Sequence, residues 1–306
     1  MSSEQNTDIR AALAAGLSSY LIWGVAPLFF QALDFANPFE IVMHRIIWAV
    51  PILALVLAVS GKMRQALAVL SDRRTILTLV GTAALISVNW WIFIFAVNSG
   101  HVLQASLGYY INPLMSVAVG VIVLREPLGP FRIAAIVLAA LGVANQIIAV
   151  GQVPWISLAL ATSFTAYGYL RKVAAVDGRI GLFWETSFNL PIALVGLTVL
   201  QLNGMGHFQE SPAQALMLMA AGLVTVVPLL LYAIGVRGLH LSTMGLLQFI
   251  APSMQFAIGV MGGETFTASH LLTFAFIWAG VGMFAYSTLR RQKKRPIAAE
   301  ARAEAE

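Results

Sequence analysis

HVLQASLGYYINPLMSVAVGV (residues 101–121) and HLSTMGLLQFIAPSMQFAIGV (residues 240–260) share one pattern. Slid by 139 positions, His101 falls on His240, Ile111 on Ile250, Pro113 on Pro252, Met115 on Met254 and Gly120 on Gly259. A one-residue gap then brings Glu126 onto Glu264. A shift of 144 pairs SSYLIWG (18–24) with TSFTAYG (162–168), which sets Trp23 on Tyr167 and Gly24 on Gly168. The chain is a duplication, and what was duplicated can be read from its surroundings.

Those surroundings are apolar. Of 306 residues 59% are hydrophobic and 10% charged, with a mean hydropathy of +0.84. A soluble domain carries charge on about a quarter of its residues, and a chain this long could not clothe a water-facing surface with so few charges. Runs of about 20 apolar residues, the length that crosses a hydrocarbon layer of about 30 Å, occur near 11–33, 40–60, 75–97, 102–124, 130–149, 154–172, 180–201, 213–235, 240–262 and 269–289. Barrel strands show about ten alternating residues each, so these longer runs read as helices. The expected fold is an all-α integral membrane protein with ten transmembrane helices.

The duplication divides the ten into five and five: residues 1–149, residues 150–289, and a basic tail at 290–306. Five is odd, so the second copy is inverted relative to the first. Short loops retained in the cytoplasm collect Lys and Arg. With both termini cytoplasmic, every one of the 18 basic residues except Arg45 lies in an inner segment. The outer charges are the acids Asp34, Glu210 and Glu264. The pI of 9.7 is thereby accounted for by topology, and RRQKKR (290–295) reads as a membrane-surface anchor rather than a nucleic-acid site. The first span is read as retained, since no small-residue cleavage site follows it. The chain has no cysteine, which excludes disulfides and thiolate metal sites.

Inverted repeats in secondary transporters enclose a midplane site that opens to either side as the halves rock. Duplication and fusion can also leave such symmetry without transport, so a membrane receptor or assembly subunit that binds without moving its ligand stays as the alternative. Enzyme signatures are missing: the five histidines have no H-E-x-x-H spacing, and neither G-x-S-x-G nor a P-loop occurs. No cofactor or metal is expected. An ATP-driven pump is disfavoured, which leaves the substrate's own gradient or a coupling ion such as a proton as the energy source.

Polar groups at membrane depth are costly unless they face a cavity or a partner. Asn89, Trp90, Tyr109 and Asn112 in the third and fourth spans, and Gln248 and Gln255 in the ninth, are the candidate cavity residues, with Trp23 and Tyr167 added from the matched positions of the repeat. Taken singly each is as readily helix–helix glue. Pro113 and Pro252 remove a backbone donor at matched positions and are the candidate hinges. In NPFEIVMHRIIW (37–48), Glu40, His44 and Arg45 form the candidate gate or ion pair. Arg45 has no copy, since the repeat places Leu190 there, and Glu185 stands opposite Glu40. An ion pair with Glu40 or Asp34, a substrate or coupling contact, and snorkelling to the outer surface are all open readings of Arg45.

The segments VNWWIFIFAVNSGHVLQASLGYYINPL, EIVMHRIIW, GLLQFIAPSMQFAIGV and FTASHLLTFAFIWAG resemble the RarD group of EamA-type transporters, in the drug/metabolite transporter superfamily. The likeness covers nearly the whole chain. It implies a cytoplasmic-membrane (inner-membrane) permease of ten helices, with both termini cytoplasmic and a central cavity for a small metabolite or drug between the five-helix halves. RarD proteins are commonly described as chloramphenicol-sensitivity permeases. The second copy departs from the motif LREPL with GGETF, so only Glu126 keeps a neighbouring Arg.

Overall fold

The computed structural model describes residues 3–122, 130–151, 153–174, 176–239, 244 and 247–303. Glu126 and His240 therefore lie outside the described residues, as do the side chains of the 290–295 tail. Every regular element among the described residues is helical: α1 (Ser3–Gln31), α2 (Pro38–Val59), the short α3 (Met63–Ala68), α4 (Arg73–Asn98), α5 (Val102–Ile122), α6 (Pro130–Val150), α7 (Trp155–Val173), α8 (Gly178–Leu202), α9 (Pro212–Gly238), α10 (Ile250–Met261) and α11 (Ala268–Ala303). Six of them contain stretches long and apolar enough to cross a membrane, in α1, α2, α4, α8, α9 and α11. Ile133–Ala149 and Ile250–Met261 are shorter apolar helices.

The helix ends obey the local grammar of capping. Asn37 accepts the N–H of Glu40 at the start of α2, and Ser211 that of Gln214 at the start of α9, each followed by Pro in the first turn, where its missing N–H costs nothing. Asp72 caps α4 and Asp177 caps α8 in the same way. Gly100 and Gly263 take positive φ, 71° and 86°, at the ends of α4 and α10. The next residue in each case, His101 or Glu264, donates its N–H five residues back, to Ala96 or Gly259. This is the Schellman closure, which needs a residue free of Cβ strain.

The outer surface is oily. Val59, Ile148, Leu202 and Met261 are each more than four-fifths exposed, a pattern unfavourable in water and natural against lipid tails. Inside, each long helix has its main partner in the other half of the chain. The principal contacts join α1 to α9 and α10, α2 to α8 and α9, α4 to α7 and α8, α5 to α7 and α10, and α6 to α11. The halves thus share one interior instead of standing side by side.

At the near end, where α1 turns into α2, one apolar cluster runs across α1, α2, α4, α5, α7, α8 and α9 and includes the fully buried Leu33, Ile41, Ile94, Val102, Leu160 and Leu218. At the far end, where Lys62 pairs with Asp177, the described residues form smaller clusters. One cluster gathers Tyr20, Met244 and Ala251, another Leu57, Ala66 and Ile180.

Candidate functional site

Helical geometry splits the NPFEIVMHRIIW motif into two faces. Glu40, His44 and Trp48 are spaced by four and stand on one side of α2. They meet the turn between α8 and α9. Glu40, with no exposure, accepts the backbone N–H of His207 at 2.7 Å and meets its Nδ1 at 2.7 Å. The His44 ring stacks on Phe208 with centroids 4.9 Å apart and receives the indole N–H of Trp48 on Nδ1. A cavity of about 280 Å³ borders this face, between Glu40, His44 and α8.

Arg45 points elsewhere. One residue further is a rotation of about 100° on a helix, and the side chain enters the bundle. Nε donates to Thr225 Oγ1 at 2.9 Å, and Cζ lies over the rings of Trp90 and Phe30 at 4.6 and 5.1 Å from their centroids. Thr225 is the midpoint of α9 (Pro212–Gly238), so Arg45 reaches towards the bundle centre and does not snorkel. The expected grouping is corrected accordingly: Glu40 and His44 bind a turn at the near end, Arg45 does not pair with Glu40, and no carboxylate among the described residues lies within ion-pair distance of it. Close approach of α2 and α9 makes the Thr225 contact. Gly222, one turn before Thr225, allows it, for a Cβ there would stand 2.6 Å from Trp48 Cβ and 2.8 Å from its carbonyl carbon.

The other candidates separate into two kinds. Trp90 and Tyr109 are half-buried and stand near Arg45: Trp90 by ring contact, Tyr109 close enough to feel its charge and packed edge-on to Phe93. Asn89, by contrast, ties helices: its Nδ2 donates to Leu160 O at 3.0 Å and Ser163 Oγ at 2.9 Å, joining α4 to α7. Asn112 accepts from Thr165 and also joins α5 to α7. Gln255 donates to Trp23 O, joining α10 to α1, while its buried Oε1 has no partner among the described residues. Trp23 packs with Tyr20 and Tyr232. Gln248 lies with Phe249 in a turn immediately before α10.

That turn bears on the hinges. Pro113 sits inside an unbroken α5, whereas Pro252 is the third residue of α10, where an N–H has no intrahelical acceptor to lose. The helix is therefore interrupted before Pro252, at Gln248–Phe249, and Ser106 donates to the Pro252 carbonyl at 2.7 Å.

Two groups escaped the sequence reading. Glu185, 1% exposed, gathers Thr82 Oγ1 at 2.7 Å, Tyr167 OH at 3.1 Å and Arg171 Nε at 3.4 Å at the far end. Tyr167 is thus a hydrogen-bond partner here more than a stacking surface. The signal was present in the match of Glu185 to Glu40. Glu264 places its carboxylate on the N–H groups of Val102 and Leu103 at the start of α5, the end of the helix macrodipole that favours an anion. Burial pushes its pKa above the usual carboxylate value, against the pull of those two N–H donors.

A bundle of long apolar helices with an oily exterior defines a multi-pass membrane protein. Comparison agrees. Residues 10–145 match the EamA-like transporter family. The chain is 40% identical over 285 residues to an uncharacterized transporter of Vibrio cholerae, covering 92% of this chain and 94% of that protein. It is 38% identical to Protein RarD of Salmonella typhimurium, covering 94% and 98%, and 36% identical to Protein RarD of Escherichia coli, covering 93% and 97%. A solved crystal structure with 16% identity superposes with a TM-score of 0.56 over 90% of this chain and 96% of its own, a likeness of fold. The chain belongs to the RarD-type branch of the EamA-like transporter family.

Proposed function

We propose that the protein is a secondary transporter of small metabolites or drugs in the cytoplasmic membrane, working by alternating access between two inverted five-helix halves, with both termini cytoplasmic. In this reading α1, α2, α4, α5 and α6 correspond to α7, α8, α9, α10 and α11. The observation that carries it is the packing: every principal helix contact maps onto another, or onto itself, when the halves are exchanged. Thus α1–α9 becomes α7–α4, α2–α9 becomes α8–α4, and α5–α7 becomes α10–α1. Two inverted copies of one structure can trade conformations, which converts one access state into the other.

The near end is then the outer face. Because the chain has no cysteine, a single introduced one is its own reporter. Leu33→Cys at the sealed near end and Gln248→Cys towards the far end should label alternately. A transported solute that raises reactivity at one must lower it at the other, alongside saturable flux in liposomes. Labelling that never alternates, with no flux across a broad metabolite panel, overturns the reading.

A further inference from the structure

Arg45 is 7% exposed, and of its guanidinium only Nε is engaged, by Thr225. Nη1 and Nη2 have no hydrogen-bond partner among the described residues. Neither is sealed: the buried unpartnered atoms include Arg171 Nη1 and Arg179 Nε but no atom of Arg45. Both therefore keep some accessible surface inside the bundle. The carboxylates that could have neutralised the charge are committed, Glu40 to His207 and Glu185 to Arg171.

The shape of the vacant approach follows from the neighbours. Phe30 and Trp90 turn ring faces to the guanidinium and Thr225 takes Nε, which leaves the Nη edge as the part without a protein partner among the described residues. That edge is a fork of parallel N–H groups, matched to the two oxygens of a carboxylate. An unpaired cation at this depth is costly, and one monoanionic group neutralises it, whereas a dianion would carry a charge in excess. Trp90, half-buried, offers a flat apolar wall beside the guanidinium, and half-buried Tyr109 packs on Phe93, which in turn packs on Phe30.

We infer that Arg45 anchors the substrate, and that the substrate is a small organic monocarboxylate whose aromatic or apolar body rests against Trp90 and Tyr109. The inference rests on the transport reading for its word substrate, though the anchor itself is a matter of binding. The probes are acid–amide pairs of one body: benzoate and benzamide, phenylacetate and phenylacetamide, indole-3-acetate and its amide. Thermal stabilisation of the purified native protein should show each acid binding at least about tenfold more tightly than its amide, the worth of a charge-assisted fork. Arg45→Gln should remove that preference, and Arg45→Lys, which keeps the charge without the fork, should restore only part of it.

Equal binding of acids and amides by the native protein, including no binding of either, overturns the anchor, and this comparison needs no variant to fold. A preference that survives in a folded Arg45→Gln protein overturns it equally. Flux of the same pairs in liposomes keeps the two ideas apart. Acid-selective binding without flux leaves the anchor standing and removes transport, while equal flux of acids and amides leaves transport and removes the anchor.

Discussion

Glu40 grips His207 at two points, the backbone N–H and ring Nδ1, both at 2.7 Å. Glu185, which falls on Glu40 when the sequence is shifted by 145 positions, grips Arg171, Tyr167 and Thr82 at the opposite end of the bundle. Matched positions thus hold two fully buried glutamates that clamp opposite ends. One fastens a turn and the other fastens helix faces.

Loosening the Glu40 clamp should open the near end. Glu40→Ala strands the His207 N–H and costs about 1.5–3 kcal/mol at that contact, the range for hydrogen bonds to charged groups. A cysteine at Leu33, buried in the wild type, should then react faster with an impermeant reagent from that side. Unchanged labelling in a folded Glu40→Ala protein would show that the clamp does not gate access.

The Glu185 clamp should outweigh the surface pair that shares its end. Arg171→Ala leaves a carboxylate of 1% exposure without its cation, a loss of about 3 kcal/mol or more for a buried pair broken on one side. Lys62→Ala breaks a partly exposed pair with Asp177 and should cost less than about 1 kcal/mol. Thermal unfolding in detergent ranks the two, and the reverse order would contradict the burial argument.

Adding one methyl group should discriminate between two helical glycines. At Gly222 the new Cβ meets Trp48 Cβ at 2.6 Å and backbone at 2.8 Å, so Gly222→Ala must part α2 from α9 and should cost about 1–3 kcal/mol. At Gly168 a Cβ meets nothing within 4 Å, and Gly168→Ala should be neutral or stabilising by up to about 1 kcal/mol through helix propensity. Thr225→Val, which removes the acceptor of Arg45 without moving the helices, should lower the melting temperature as well, while Thr225→Ser should restore it.

Glu264 should make stability depend on pH. Burial raises its pKa above the ordinary 4.5, so the fold disfavours its ionised form. Its contribution is fully present below the ordinary value and is lost as pH rises through the higher folded one. Melting temperature should therefore fall less between about pH 4 and pH 7 in Glu264→Gln than in the wild type. Glu264→Ala, which leaves the N–H groups of Val102 and Leu103 uncapped, should be less stable than both by about 1 kcal/mol.

Much of this architecture was legible in one dimension. Span length, the Asn37–Pro38 and Ser211–Pro212 helix starts, and the collection of basic residues in one set of loops are each properties of a single helix or turn with its solvent. The self-match of 101–121 with 240–260 is likewise visible in one dimension. Arg45 stood out because it alone among the basic residues departs from that charge pattern.

What Arg45 does with its charge was not legible there. Its acceptor lies 180 residues away on a helix whose sequence around Thr225 reads as plain hydrocarbon, and the contact exists because Gly222 lets two helices close together. The same geometry took Glu40 and His44 away from their neighbour, and engaged Asn89 and Asn112 in ties to α7. Sequence determined which segments prefer lipid and where each begins, because those preferences act within a turn or two of chain. Tertiary structure alone decided which polar groups meet, since that depends on the rotation and approach of helices distant in sequence.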